Sequence, residues 1–232
     1  MDSAYFSTKR RPLVIGHRGA SGHALENSIA AFRAAATPGH VAHCDGVELD
    51  IHTTADGILV VHHDPVLSAG ESISAIPFSR VRANRLANGS AIPTLEEAVV
   101  ALAGVELFVE AKGLPPGADA TLLGVLRTHR GGRYHIHASD HRIMARLNRL
   151  DPELLLGVLS ASYPIDPVRP VREAGATTLW QQADLVDAEL VAACHANAIA
   201  LIAWTVNDKA HAKSLAALGV DGLCGNWPER LR

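Results

Sequence analysis

At 232 residues, with 48% hydrophobic residues and a formal net charge of −3, the chain can bury one large core and lacks the basic field of a nucleic-acid binder. No apolar run approaches the ~18 residues a membrane span needs, and the run after Lys9, Arg10 and Arg11 is too short for a secretory leader. Cys44, Cys194 and Cys224 are far apart and outside any CxxC spacing, so they read as buried thiols of a soluble, cytoplasmic protein.

In chain order, Leu13-Val14-Ile15 is a short buried-strand run that ends on the polar group Gly16-His17-Arg18-Gly19. A helical pattern, IAAFRAAA, follows with Asn27 or Ser28 as its cap. The stretch from Asp45 to Asp64, DGVELDIHTTADGILVVHHD, then spaces Glu48 and Asp50 two residues apart, which places both carboxylates on one face of a strand. Asp56-Gly57 between β-branched runs is a hairpin signal. Asp50 lies six residues before Asp56 and His63 six after Gly57, so a hairpin returns His63 to the carboxylate pair. His52 and His62 are expected to alternate away from it. Residues 65–93 read as an irregular insertion with at most one short helix near Ser79–Leu86.

Beyond Pro93 the rhythm is regular. Thr94 caps a helix with Glu97 at the capping-box position. Strand-like runs at Val105–Ala111, Tyr134–Ala138, Leu154–Leu159, Thr177–Trp180, Ala200–Val206 and Asp221–Cys224 then alternate with helical ones. Such units argue for one α/β domain over 1–232, a TIM (β/α)8 barrel with a short insertion after the His-Asp pair. Nine strand-like runs exceed the eight barrel positions. Ile58–His62 is assigned to the returning arm of the hairpin, because the link from Asp50 is too short for a crossover helix.

The polar residues that end the strands then meet at one mouth: His17, Arg18, Glu48, Asp50, His63, Glu110, Lys112, Trp204 and Asn207. Three carboxylates suit a hard divalent cation, Ca²⁺ or Mg²⁺. Arg18 and Lys112 offer charge for a phosphate, and two histidines suit an acid and a base. His135, His137 and His141 surround one strand end, where one could touch substrate, and Trp180, Gln181 and Gln182 end another, where they could contact the glycerol.

The ordered set GHRGASGHALENSIAAF, GVELDIHTTADGILVVHHD, IPTLEEA, FVEAKG, AWTVND and GVDGLCGNWP resembles the glycerophosphodiester phosphodiesterases over nearly the whole chain. The resemblance implies metal-dependent hydrolysis of a small-molecule glycerophosphodiester to sn-glycerol 3-phosphate and an alcohol, through a cyclic phosphate formed by the glycerol 2-hydroxyl. It implies Glu48, Asp50 and Glu110 as metal ligands, His17 as the base or nucleophile-like partner, and His63 as the general acid. Arg18 and Lys112 would grip the phosphate, Glu26 and Asn27 would brace His17 or the glycerol hydroxyls, and Trp204 would line the wall. Nucleic acid and stable membrane insertion are not implied, and the oligomeric state is left open. The chain departs from the family at LSAGES after His-Asp, which bears on the alcohol accepted, and at Gly225-Asn226 in place of Thr-Asp. Rival readings are a lysophospholipase D-like or sphingomyelinase D-like phosphodiesterase on the same scaffold, or a non-catalytic phosphoglycerol-binding barrel.

Overall fold

A computed structural model describes residues 11–130 and 132–232; the basic pair Lys9-Arg10 lies outside them. Eight parallel strands close into a barrel: β1 (Leu13–Gly16), β2 (Gly46–Thr53), β4 (Glu106–Gly113), β5 (Tyr134–Ala138), β6 (Leu155–Ser160), β7 (Thr178–Gln182), β8 (Ala200–Trp204) and β9 (Gly222–Gly225). Closure comes from β1, which pairs with β9 on one side and with β2 on the other through Ile15↔Gly46 and Gly16↔Val47. The ninth strand, β3 (Leu59–Val61), runs antiparallel on β2 with Ile51 opposite Val61. It is the hairpin's return arm. Thr54 fixes its loop by bonding Asp56 and both backbone groups of Ile58, and Gly57 takes φ 83, where a side chain would be strained.

Side-chain alternation along the strands divides apolar from reactive. Leu13, Ile15, Phe108, Trp180, Ala200, Ile202 and Cys224 form a buried cluster of their own. The next inward positions along those strands are His17, Glu110 and Trp204. The same period of two that plugs the barrel therefore sets polar groups above the plug. The opposite parity (Val14, Val47, Leu49, Leu107, Val109, Leu201, Leu223) joins the larger core that also takes Phe32, Leu95 and Leu122 from the helices.

Helix ends follow their sequence signals. Ser28 caps Ile29–Ala36, and Thr94 with Glu97 forms the full capping box on Leu95–Ala101. The insertion is better ordered than its sequence suggests. It holds a 3₁₀ turn (Ile73–Ala75) and a short helix (Phe78–Ala83), and Val60, Leu67, Ile73, Val81 and Ile92 make a satellite core. Arg82 ties it to the Thr94–Glu97 capping box by bonding both oxygens of Glu97. The three cysteines are buried and free. Among the described residues no helix is long and apolar enough to cross a membrane.

Candidate active site

The loop after β1 is the most constrained part of the mouth. Gly19 takes φ 85, and a Cβ there would lie 2.8 Å from the Ala31 carbonyl carbon, so the loop can close on its helix only with glycine. Arg18 (φ 55) and Asn27 (φ 52) also adopt left-handed backbone, and the Asn27 N–H donates to the Arg18 carbonyl at 3.0 Å. Such strain persists only where surrounding contacts over-determine it. Here the Arg18 N–H donates to Glu48 Oε2 at 2.9 Å and its guanidinium to Glu26 Oε1 at 2.8 Å.

Glu48 and Asp50 point inward from β2 and Glu110 from β4, with Asp50 and Glu110 in direct register. All three are buried. Burial, then repulsion from Asp50 and Glu110, pushes Glu48 well above its ordinary value, and burial with Asp50 raises Glu110 to about 7. Asp50 behaves oppositely. Burial would raise it, but Lys112, Arg18 and Asn27 outweigh that and hold it below its ordinary value. The contacts are specific: Asn27 Nδ2 at 2.7 Å and Arg18 Nε at 3.3 Å from Oδ2, and Lys112 Nζ at 3.4 Å from Oδ1. Lys112 also lies 3.0 Å from Glu110 Oε1. One oxygen of Glu48, Oε1, is buried with no hydrogen-bond partner among the described residues.

The two histidines are held differently. His17 Nδ1 lies 2.8 Å from Asn226 Oδ1, an acceptor, so Nδ1 carries the proton and Nε2 keeps a free lone pair 4.0 Å from Glu48 Oε2. Burial, then the neighbouring Arg18, lowers His17 to about 4, which keeps it neutral. Asn226 is fixed in turn, its N–H donating to Asn207 Oδ1 at 2.9 Å. His63 ends the hairpin, with Nδ1 2.8 Å from Asp64 Oδ1. Its carbonyl meets His52 Nε2 at 3.0 Å. His52 was expected to turn away. It instead continues the Glu48/Asp50 parity, as a period of two requires, and is buried beneath the His63 turn.

Seven of the ten residues singled out from sequence (His17, Arg18, Glu48, His63, Glu110, Lys112 and Trp204) line one cavity of about 190 Å³. Asp50 is buried against Arg18, Lys112 and Asn27. Glu26 and Asn27 line an adjoining cavity of about 260 Å³ that shares His63 and continues to Leu67, Arg85, Leu86 and Ile92 of the insertion. Neither Glu26 nor Asn27 bonds His17; they hold Arg18 and Asp50, and the brace on His17 is Asn226. His137 and Trp180, at two further strand ends, also line the main cavity. Their rings stack at 4.0 Å with an interplanar angle of 6°.

Comparison with known proteins bears on the family and the fold. Residues 17–230 match the glycerophosphoryl diester phosphodiesterase family. A glycerophosphodiester phosphodiesterase of Caldanaerobacter subterraneus subsp. tengcongensis is 31% identical over 240 residues, spanning 95% of this chain and 96% of that one. An Oleispira antarctica phosphodiesterase, solved in complex with the product sn-glycerol-3-phosphate, superposes with a TM-score of 0.86 at 26% identity, over 99% of this chain and 97% of its own. A glycerophosphodiester phosphodiesterase structure from Parabacteroides distasonis shares the fold at a TM-score of 0.83 and 24% identity. With a closed (β/α)8 barrel and these matches over almost its full length, the chain belongs to the glycerophosphoryl diester phosphodiesterase family, a family of phosphoric diester hydrolases.

Proposed function

We propose that the chain hydrolyses glycerophosphodiesters to sn-glycerol 3-phosphate and an alcohol, using a divalent cation and the pair His17/His63. The observation that carries this reading is the single cavity onto which Glu48, Glu110, Arg18, Lys112, His17 and His63 converge. The carboxylates fit a cation: Glu48 Oε1 is buried and unpartnered among the described residues, and burial with repulsion from Asp50 raises both Glu48 and Glu110. Glu48 and Glu110 would hold the ion, with Asp50 beside them. When bound, the ion supplies positive charge against the phosphate oxygens.

The side chains divide the remaining work. Arg18 and Lys112, anchored by Asp50, face the cavity as cations for the substrate phosphate. Neutral His17 has its Nε2 lone pair available to take a proton from the attacking hydroxyl, which would be the glycerol 2-hydroxyl if a cyclic phosphate forms. His63 has its Nδ1 oriented by Asp64, which would leave Nε2 to deliver a proton to the leaving oxygen. Since His63 belongs to both cavities, the leaving alcohol would extend into the one shared with the insertion. If the glycerol half lay there instead, the apolar wall of Leu25, Leu67, Leu86 and Ile92 would take an acyl chain, which is the second reading, lysophospholipase D-like cleavage of monoacyl substrates.

A panel of glycerophosphocholine, glycerophosphoethanolamine, glycerophosphoglycerol and lysophosphatidylcholine, assayed with and without EDTA, separates these readings. Glycerol 3-phosphate release that stops on chelation is the expected result. Full turnover after exhaustive chelation would remove the cation from the mechanism, and cleavage of the monoacyl substrate alone would favour the second reading.

A further inference from the structure

His137 has no part in the mechanism just described, yet it is among the most buried polar groups of the protein, at 1% exposed. Its Nδ1 has no hydrogen-bond partner among the described residues. A buried, unpaired ring nitrogen is unfavourable in a packed interior, and such groups concentrate where a ligand completes them. The ring cannot turn elsewhere, because it is stacked flat on Trp180. The neighbouring strand makes room for that stack: a Cβ at Gly157 would lie 2.9 Å from the Trp180 ring and 3.1 Å from the His137 Cβ. His137 stands in register with Glu110, and one ligand atom from each of Glu48, Glu110 and His137 lies within 4.8 Å of the others. Asp50 is absent from that group, its oxygens being engaged by Asn27, Arg18 and Lys112.

We propose that His137 is a nitrogen ligand of the divalent ion held by Glu48 and Glu110, making a mixed nitrogen–oxygen centre that takes a first-row transition ion in preference to Ca²⁺. This rests on the metal-dependent reading above. Ca²⁺ and Mg²⁺ are served by oxygen donors, whereas imidazole suits Co²⁺ and Zn²⁺ and follows the usual rise in affinity across the row. The stack on Trp180 presets the ring, so little freedom is lost when an ion binds.

The test is calorimetric titration of the metal-free protein with Co²⁺ and with Ca²⁺, alongside the visible spectrum of the Co²⁺-loaded form. The expected result is tighter binding of Co²⁺ than of Ca²⁺ by wild type. In His137→Gln, Co²⁺ affinity should fall by at least about 10–100-fold, the scale seen even for groups that only support a metal ligand. Its Co²⁺ bands should shift, Ca²⁺ affinity should change little, and His17→Gln should keep the wild-type spectrum. Wild type preferring Ca²⁺ would overturn the proposal without needing any variant. So would a His137→Gln protein with unaltered Co²⁺ affinity and spectrum; in either case the cation dependence of turnover would still stand. If neither ion binds wild type and EDTA leaves turnover intact, both the ligand assignment and the metal-dependent reading fall.

Discussion

At the floor of the barrel, Asp45 accepts from both guanidinium nitrogens of Arg11, at 2.6 and 2.9 Å, and from the Val14 N–H at 2.8 Å. Asp221 likewise accepts from the Leu201 N–H and pairs with His195, and Glu106 meets His135. At the mouth, three carboxylates crowd two cations, and Glu48 Oε1, His137 Nδ1 and Trp204 Nε1 are buried without partners among the described residues. The strands are the same; only the ends differ. A floor carboxylate closes the interactions that hold strands together, whereas at the mouth Glu48 keeps an oxygen without a partner among the described residues. Substitutions at the two ends should therefore separate stability from activity.

The largest effect belongs to the mouth. His17→Ala and His63→Ala are each expected to lower turnover of a glycerophosphodiester by at least ~10²-fold, the usual scale for losing a proton-transfer group. Denaturant melts of both variants should remain close to wild type. An active His63→Ala would break the assignment of the acid to the hairpin. At the floor the pattern reverses. Asp45→Asn keeps one acceptor but loses the solvent-screened ion pair with Arg11, and should destabilise the fold by about 1 kcal/mol. Its turnover per folded molecule should be unchanged.

The two ends should also answer pH with opposite signs. Asp45 is a carboxylate whose burial is outweighed by Arg11 and Val14, which hold it below its ordinary 3.8. Its contribution is present above that value and is lost as pH falls through the lowered one. Glu110, raised from 4.5 to about 7, contributes stability that is full below 4.5 and is lost as pH rises through 7. Metal-free protein is thus expected to lose stability between about pH 4.5 and 7 through its mouth. Glu110→Gln or saturating divalent ion should flatten that slope, as followed by chemical denaturation across the range. A slope of the same size in Glu110→Gln would show that the crowding is not what destabilises.

Much of this division was legible in the sequence, because it follows from short-range periods. Alternation put Glu48 with Asp50, the Asp56-Gly57 turn returned His63, and strand–helix rhythm gave the barrel with its ninth strand as a hairpin arm. What sequence could name but not place depends on register between distant strands. His137 faces Glu110 only through the β4–β5 pairing, and it stacks on Trp180 across a strand whose contribution is a glycine. The satellite core of the insertion was hidden for a related reason. Its apolar residues keep no period, and they gather through isolated pairings such as Val60↔Thr94 and Val66↔Ser72. Asn226 meets His17 over a separation of 209 residues, which no local pattern encodes.

That last contact supplies the finest test of the comparison, since it asks what happens when a mouth group is given the kind of anionic partner found at the floor. Asn226 Oδ1 accepts from His17 without bearing charge, and burial with Arg18 leaves the ring near 4. In Asn226→Asp a carboxylate takes that place and stabilises the imidazolium, which should raise His17 by roughly one to three pH units. A base works only when neutral, so turnover falls as pH drops through its pKa. The acid limb of kcat/KM should accordingly move up from around pH 4 toward about 5–7, while turnover on the alkaline side stays near wild type. Because Asn207 anchors the backbone of residue 226, the exchange alters charge more than position. An acid limb that does not move would mean that some group other than His17 sets it, and that burial alone, not the partner chosen at residue 226, keeps the imidazole neutral.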